Sequence, residues 1–324
     1  MDKKKLAVMT SGGDAPGMNA AIRAVVRTAI YEGHSVFGIY GGYSGLINGE
    51  LMPLNRHSVS NIIQKGGTFL KTSRCETFRH ESGRRRAAEM LQEWNIEGLI
   101  VIGGDGSFRG AHYLHEEQGI PVIGVPATID NDIYGTDLTI GYDTAVTTAL
   151  HSIDKIRDTA TSHNRLFIVE VMGRNAGFIA LEAGICGGAE EILVPERKSD
   201  LEKLGDEITN WSKSGKKSSL IVVAEGDDLG NANTIADKVK DAYNIESHVC
   251  VLGHTQRGGS PTATDRVLAS RLGHHAVKQF LDGKDDIMVG WQANELNTVP
   301  LPEAWQKKKP LDKDLMELYS ILSS

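Results

Sequence analysis

Cysteine is scarce. The chain of 324 residues carries three, Cys75, Cys186 and Cys250. They have no CxxC spacing, so neither a disulfide framework nor a cysteine zinc site is expected, and a reducing cytosol suits them. Long apolar runs are missing too. None approaches the ~18 residues that a membrane helix needs, and the apolar part of the basic start "MDKKKLAVMT" is too short for a signal peptide. A cytoplasmic protein with no membrane partner is the expectation. Positive charge is in deficit: 42 acidic against 35 basic residues leave a net charge of -7. That balance argues against nucleic acid or an anionic membrane as partner and still allows local basic pockets. Short repeats, low-complexity tracts and long linkers are absent as well. What remains is a soluble globular composition, 40% hydrophobic and 24% charged, with a length that suits two domains.

Glycine, by contrast, is plentiful at 36 residues, and it clusters at the ends of apolar runs. The runs at 5–10, 35–41, 98–103, 121–125, 166–172, 191–195, 219–225 and 249–254 read as strands. Several are apolar throughout, as strands buried on both faces of a parallel sheet are. Helical patterns fall between them, at 17–32, 81–95, 141–160, 199–214, 231–243 and 263–282, and "LDKDLMELYSILSS" reads as a closing amphipathic helix. Repeated βα units predict an α/β architecture of two doubly wound domains with mostly parallel sheets. Ligands in such sheets sit beyond the C-terminal strand ends.

Five clusters at those ends carry the chemistry. "TSGGDAPGMNAAIR" sets Gly12, Gly13 and Gly17 before a helix, where backbone N–H groups can hold phosphate. It is neither a Walker A loop nor GxGxxG, and "GKKS" at 215–218 fails as a P-loop because Asn210 stands at the first glycine position. "GGDGS" places Asp105 among Gly103, Gly104 and Gly106. Such an acid can bind Mg²⁺ through oxygen, although taken alone it reads as a helix N-cap. In "TIDND", Asp130 and Asp132 share a face if the backbone is extended, which favours metal and base chemistry over a plain solvated turn. "EVMGR" and "VLGHTQRGGSP" bring Arg174, His254 and Arg257 to glycine-rich strand ends, and a guanidinium grips phosphate in a fork. Arg74 and Arg79 in "TFLKTSRCETFR" could equally be surface charges.

Together and in this order, these clusters, with "IDKIRDTATSH" and "PTATDRVLASRLG", resemble the bacterial ATP-dependent 6-phosphofructokinase family from residue 1 to about residue 290. The resemblance implies an ATP-binding domain of 1–140 plus 255–303 and a sugar-phosphate domain of 141–254 plus 304–324, assembled as a homotetramer. The implied reaction moves the γ-phosphoryl group of MgATP to the 1-hydroxyl of fructose 6-phosphate. Asp105 then holds Mg²⁺, and Gly13, Tyr43, Gly104, Gly106, Ser107 and Gly110 line the nucleotide, with Arg74 and Cys75 beside it. Asp130, flanked by Thr128 and Ile129, accepts the sugar proton, while Arg174 and Arg74 stabilise the transferring group. Met172, Gly173, Arg174, Glu225, His254, Thr255, Gln256 and Arg257 hold the sugar phosphate, with Arg165 and His248 reaching in from a neighbouring subunit. An effector pocket for ADP or phosphoenolpyruvate is implied at Arg23, Arg27, Arg56, Arg157, Gly188, Glu190, Ser214, Lys216, Lys217 and Ser218.

The chain also departs from the family pattern. His248 replaces an arginine, and imidazole is shorter, lacks the fork and is mostly neutral above about pH 7. Asn61 replaces an acid, Ser214 a basic residue, Ser218 a histidine and Phe178 an aspartate. Gly106 and Ala127 stand where pyrophosphate-dependent relatives carry aspartate and lysine, which favours ATP as donor. A non-catalytic nucleotide-binding subunit and a kinase for another hexose 6-phosphate are the competing readings. Retention of Asp105, Thr128, Asp130 and Arg174 favours an active enzyme.

Overall fold

The computed structural model describes residues 3–161, 166–214 and 218–323. Its strands are β1 (Lys5–Thr10), β2 (Ser35–Ile39), β3 (Leu51–Leu54), β4 (Gly98–Gly103), β5 (Val122–Pro126), β6 (Leu166–Val171), β7 (Glu191–Leu193), β8 (Ser219–Ala224), β9 (Ser247–Val251), β10 (Ile287–Gln292) and β11 (Glu295–Pro300). Its helices are α1 (Met18–Tyr31), α2 (Gly42–Asn48), α3 (Glu81–Glu93), α4 (Asp105–Gln118), α5 (Tyr142–Thr161), α6 (Phe178–Cys186), α7 (Leu201–Lys213), α8 (Ala232–Tyr243), α9 (Ala263–Leu281), α10 (Glu303–Gln306) and α11 (Lys313–Leu322). None of the described helices is long and apolar enough to cross a membrane.

The chain divides into two units. The first takes 1–129, 133–144 and 257–309, and the second takes 130–132, 145–256 and 310–324. The first holds a seven-stranded sheet in the order β11-β10-β5-β4-β1-β2-β3. Its inner strands are parallel, and only the pairs β2–β3 and β10–β11 are antiparallel. β4 and β5 are buried along their whole length, which is why their sequences are apolar at every position rather than at alternate ones. On one face, α1 packs against α9. Gly273 permits this, because a Cβ there would lie 2.8 Å from the Ala21 carbonyl oxygen. On the other face Phe108 and Leu114 of α4 and Leu91 of α3 bury against Met9, Leu99 and Val101.

The second unit has a four-stranded parallel sheet in the order β7-β8-β6-β9. Leu204, Ile208, Ile235 and Val239 from α7 and α8 bury against Ile168, Ile221 and Val223. Tyr319 of α11 is buried, its hydroxyl 3.0 Å from Glu191 Oε2 and accepting the Ile192 N–H. Burial and the neighbouring Glu191 push that phenol well above its usual range. β9 is an edge strand with no residue fully buried.

Both units are therefore doubly wound and mostly parallel. β3, β10 and β11, and the helices α2, α6 and α10, have no counterpart among the elements read from the sequence. Because the inner strands run the same way, the turns after β1, β4 and β5 leave the first sheet at one end. Those after β6, β8 and β9 do so in the second.

Candidate active site

In the first unit the turn between β4 and α4 passes close to the end of β1. A Cβ on Gly103 would lie 2.6 Å from the Ser11 carbonyl oxygen and 2.7 Å from Ser107 Oγ, so only glycine allows this approach. Gly104, not Asp105, occupies the N-cap of α4, and no side chain caps the helix. The N-cap reading of Asp105 is thereby corrected. Asp105 is the first residue of the helix, and its carboxylate is exposed and not spent on the backbone. An exposed acid at a strand end, beside a helix start able to receive anions, suits a hard cation carrying phosphate. A side chain at Gly106 would meet open space, so the turn leaves room for a ligand there.

The same cluster continues through Tyr43, which is buried and stacks on Phe78 with ring centroids 3.8 Å apart. Its hydroxyl donates to the Ser107 carbonyl at 2.5 Å, and burial pushes the phenol far above its usual range. Gly110 lets α4 lie on this ring pair, since a Cβ would meet both rings at 3.1–3.2 Å. Tyr43 thus holds the Ser107 turn from below. Cys75 packs against the core and Arg74 is exposed. Thr128 has its carbonyl held by the Thr139 hydroxyl at 2.6 Å, and Ile129 is buried. Arg257, read from sequence with the sugar phosphate, belongs to this unit. It donates to the Asp14 carbonyl at 3.2 Å, and its guanidinium would collide with any Cβ on Gly13, at 2.8 Å.

In the second unit the structure pairs the two residues on which the chemistry was expected to rest. Arg174 Nε lies 3.4 Å from Asp130 Oδ2, with Asp130 2% exposed and Arg174 58%. Arg174 has φ +52 and the preceding Gly173 has φ +145. A left-handed arginine needs support from its surroundings. Glu225, at the end of β8, supplies it by accepting the Arg174 N–H at 2.8 Å and the Gly173 N–H at 3.3 Å. Gly226 is required as well, because a Cβ there would lie 2.0 Å from the Arg174 carbonyl oxygen. Gln256, fully buried, accepts the Met172 N–H at 3.1 Å. The ends of β6, β8 and β9 are so tied into one cluster, with His254 and Thr255 exposed beside Gln256. His248 stands apart. It is exposed on edge strand β9, and its ring lies 5.2 Å from that of Phe167.

The expected effector residues fall into separate groups. Arg23 and Arg27 lie one turn apart on α1, and burial together with Arg27 lowers the Arg23 guanidinium from its ordinary value, a repulsion that an anion would relieve. Arg56 is exposed, in a turn before Asn61. In the second unit Arg157 donates to the carbonyls of Gly187 and Gly188 and lies 3.7 Å from Glu190. Ser214 donates to the Trp211 carbonyl at 2.8 Å, and Ser218 is half-buried. Arg165, Lys216 and Lys217 lie outside the described residues.

Asp265 does not stand out by residue type or by neighbouring glycines. It is buried on α9, accepts from the Gly141 and Thr144 N–H groups at 2.7 and 2.9 Å, and binds the Thr144 hydroxyl. Its signal was present in "TATD": Thr262 caps α9 by accepting the Asp265 N–H, the first half of an S/T-x-x-D/E capping pattern.

Glycine-walled strand ends, an uncommitted acid at a helix start and a buried carboxylate facing an arginine position charge rather than provide a covalent nucleophile. That is what phosphoryl transfer asks of a protein, so fold and sites together define a phosphotransferase of the doubly wound α/β class. A family model described as Phosphofructokinase matches residues 5–280. The chain is 54% identical to "ATP-dependent 6-phosphofructokinase 1" of Thermus thermophilus over 320 residues, 99% of each chain. It is 53% identical to "ATP-dependent 6-phosphofructokinase" of Thermotoga neapolitana, over 99% of this chain and 100% of that one. Phosphofructokinase from Saccharomyces cerevisiae superposes with a TM-score of 0.89 at 36% identity, over 99% of this chain and 50% of that longer one. The chain belongs to the phosphofructokinase family. Its reading as an ATP-dependent 6-phosphofructokinase is that of the relatives it matches end to end.

Proposed function

We propose that the protein transfers the γ-phosphoryl group of ATP to the 1-hydroxyl of fructose 6-phosphate, giving fructose 1,6-bisphosphate and ADP. The observation that carries the proposal is the buried Asp130 carboxylate facing Arg174 at 3.4 Å, with the Arg174 backbone held by Glu225. Asp130 accepts the proton of the sugar hydroxyl as its oxygen attacks phosphorus, and ADP leaves with the electron pair of the broken bond. Arg174 and Arg74 stabilise charge on the transferring group, in the way that most of the catalysis of phosphoryl transfer is achieved. Magnesium bound with ATP neutralises phosphate charge, and Asp105, exposed and free of capping duty, is the residue that would hold it. Gly13, Gly104, Gly106 and Ser107 let the nucleotide phosphates approach the backbone.

On this reading the seven-stranded unit binds ATP, and the four-stranded unit binds the sugar phosphate through Met172, Glu225 and His254. The enzyme works in the cytoplasm as a homotetramer, with Arg165 and His248 serving a neighbouring subunit, and ADP or phosphoenolpyruvate acts at the arginines of α1 and around Glu190. His248 supports a second reading, a different hexose 6-phosphate, because it removes a guanidinium fork from the phosphate. A coupled ADP-release assay with ATP or pyrophosphate and a panel of hexose 6-phosphates tests both. Highest kcat/KM with ATP and fructose 6-phosphate is expected, and a better hexose 6-phosphate would establish the second reading.

A further inference from the structure

Away from these turns, α4 carries a second group of side chains that the kinase reading does not use. His112 and Glu116 lie four residues apart and so share a face of the helix. Asp286 comes to them from the turn before β10. His112 Nδ1 is 2.9 Å from Asp286 Oδ2 and 3.0 Å from Oδ1. One ligand atom from each of the three residues lies within 4.8 Å of the others.

We propose that His112, Glu116 and Asp286 form a binding site for a first-row transition-metal dication of the zinc type. In tetrahedral coordination, bonds of about 2.0–2.2 Å from Zn²⁺ to imidazole nitrogen and carboxylate oxygen place two ligands of one ion about 3.3–3.6 Å apart. His112 and Asp286 lie a few tenths of an ångström closer than that, at hydrogen-bond distance, so a small side-chain rotation would open the pair to an ion. Glu116 is exposed, while His112 and Asp286 are partly buried, so two ligands are fixed by the fold and the third can swing onto the ion. Two carboxylates and a neutral imidazole balance a dication. The nitrogen ligand favours zinc or cobalt over magnesium, calcium and manganese, which prefer oxygen. The nearby cation is already engaged, since the Arg109 guanidinium lies 5.9 Å over the Trp305 ring.

The site is distinct from the Asp105 turn. His112 sits seven residues along α4 from Asp105, roughly 10 Å up the helix axis. Asp286 precedes the first residue of a strand rather than following the last. Its carbonyl accepts the Leu301 N–H at 2.8 Å, so the turn is anchored to the far end of β11. An ion here would fasten α4 to the β10–β11 hairpin.

Titration of the full chain with Zn²⁺ by calorimetry, in excess Mg²⁺ to occupy oxygen sites, tests the proposal. One site is expected, with a rise in melting temperature. Glu116→Gln leaves the His112–Asp286 contact in place and should weaken Zn²⁺ at least about tenfold, the scale on which even outer-shell partners act at metal sites. His112→Gln should abolish binding and with it the d–d absorption band of bound Co²⁺, which Glu116→Gln should move to higher Co²⁺ concentration. An unchanged isotherm in Glu116→Gln overturns the proposal, as does the lack of any Zn²⁺ binding below millimolar concentration.

Discussion

Asp265→Asn at the start of α9 measures how the junction between 141 and 144 is held. The carboxyl is buried at 1% exposure and accepts from two backbone N–H groups and the Thr144 hydroxyl. Burial is the larger influence and raises it from 3.8 to about 6, with the hydrogen bonds pulling the other way and Asp143 adding to the rise. The folded protein therefore holds this proton more tightly than the unfolded chain. Between about pH 4 and pH 6 folding takes up a proton, so stability falls as pH rises through that window. A carboxyl held at about 6 instead of 3.8 makes the whole change about 3 kcal/mol. The variant keeps the shape, cannot titrate and turns its amide N–H₂ towards a donor, at a fixed cost of about 1–3 kcal/mol. The assay is urea unfolding of both proteins from pH 4.5 to 7.5, compared as the difference in unfolding free energy so that other titrations cancel. Wild type should lose most of its advantage as pH rises. A flat difference would refute the reasoning. An advantage that grows with pH would show that the Gly141 and Thr144 hydrogen bonds outweigh burial.

Asp130→Asn should lower kcat by about 10²–10⁴ at saturating substrate, the usual cost of losing a general base, and a change under about threefold removes Asp130 from that role. Turnover with each donor at equal Mg²⁺ should give a higher kcat/KM for ATP than for pyrophosphate, because a side chain at Gly106 would meet only open space; the reverse order overturns the donor assignment. His248→Arg should lower the half-saturation concentration of fructose 6-phosphate, a charge-assisted contact being worth ~1.5–3 kcal/mol, and an unaltered value means that His248 does not meet the phosphate. ADP and phosphoenolpyruvate should shift that half-saturation weakly, since Ser214 spends its hydroxyl on the Trp211 carbonyl; a strong shift at micromolar effector would show that the remaining basic residues suffice.

The legible parts of the fold were those whose burial leaves a simple trace. β4 and β8 lie inside their sheets, and unbroken apolar runs mark them within a residue of their ends. β11 has no buried residue and mixes polar with apolar positions, and β3 is a four-residue edge strand interrupted by Pro53, so neither stands out as a strand. α2 begins and ends at left-handed glycines, Gly41 and Gly49, and contains two more, so it reads as a turn. α6 is apolar but for Glu182, so its short run shows no clear helical period. The apolar run that marks β9 begins two residues late, because the exposed start of the strand at Ser247 and His248 is polar. At the site, the residue types of Asp130 and Arg174 point to the chemistry by themselves, whereas Glu225 enters only through the family resemblance. That Arg257 would bind the Asp14 carbonyl, and Gly104 rather than Asp105 would cap α4, depends on a contact across 243 residues in one case and on backbone torsions in the other. Local pattern carries neither.

The position of β10 has a consequence for the protein's synthesis. β5 is flanked by β4 on one side and by β10 on the other, and the partners of its Ile123 and Gly124 are Ile287 and Met288. At about 5–20 residues per second, a ribosome spends roughly 8–30 s making residues 127–286 after β5 has been made. Throughout that interval an apolar strand edge waits unpaired, the kind of edge that recruits other chains. Emergence of residues 287–292 closes it. The nascent chain is therefore most in need of a chaperone in the middle of its translation, and slowing the ribosome between codons 127 and 286 should lower soluble yield more than the same slowing before codon 98.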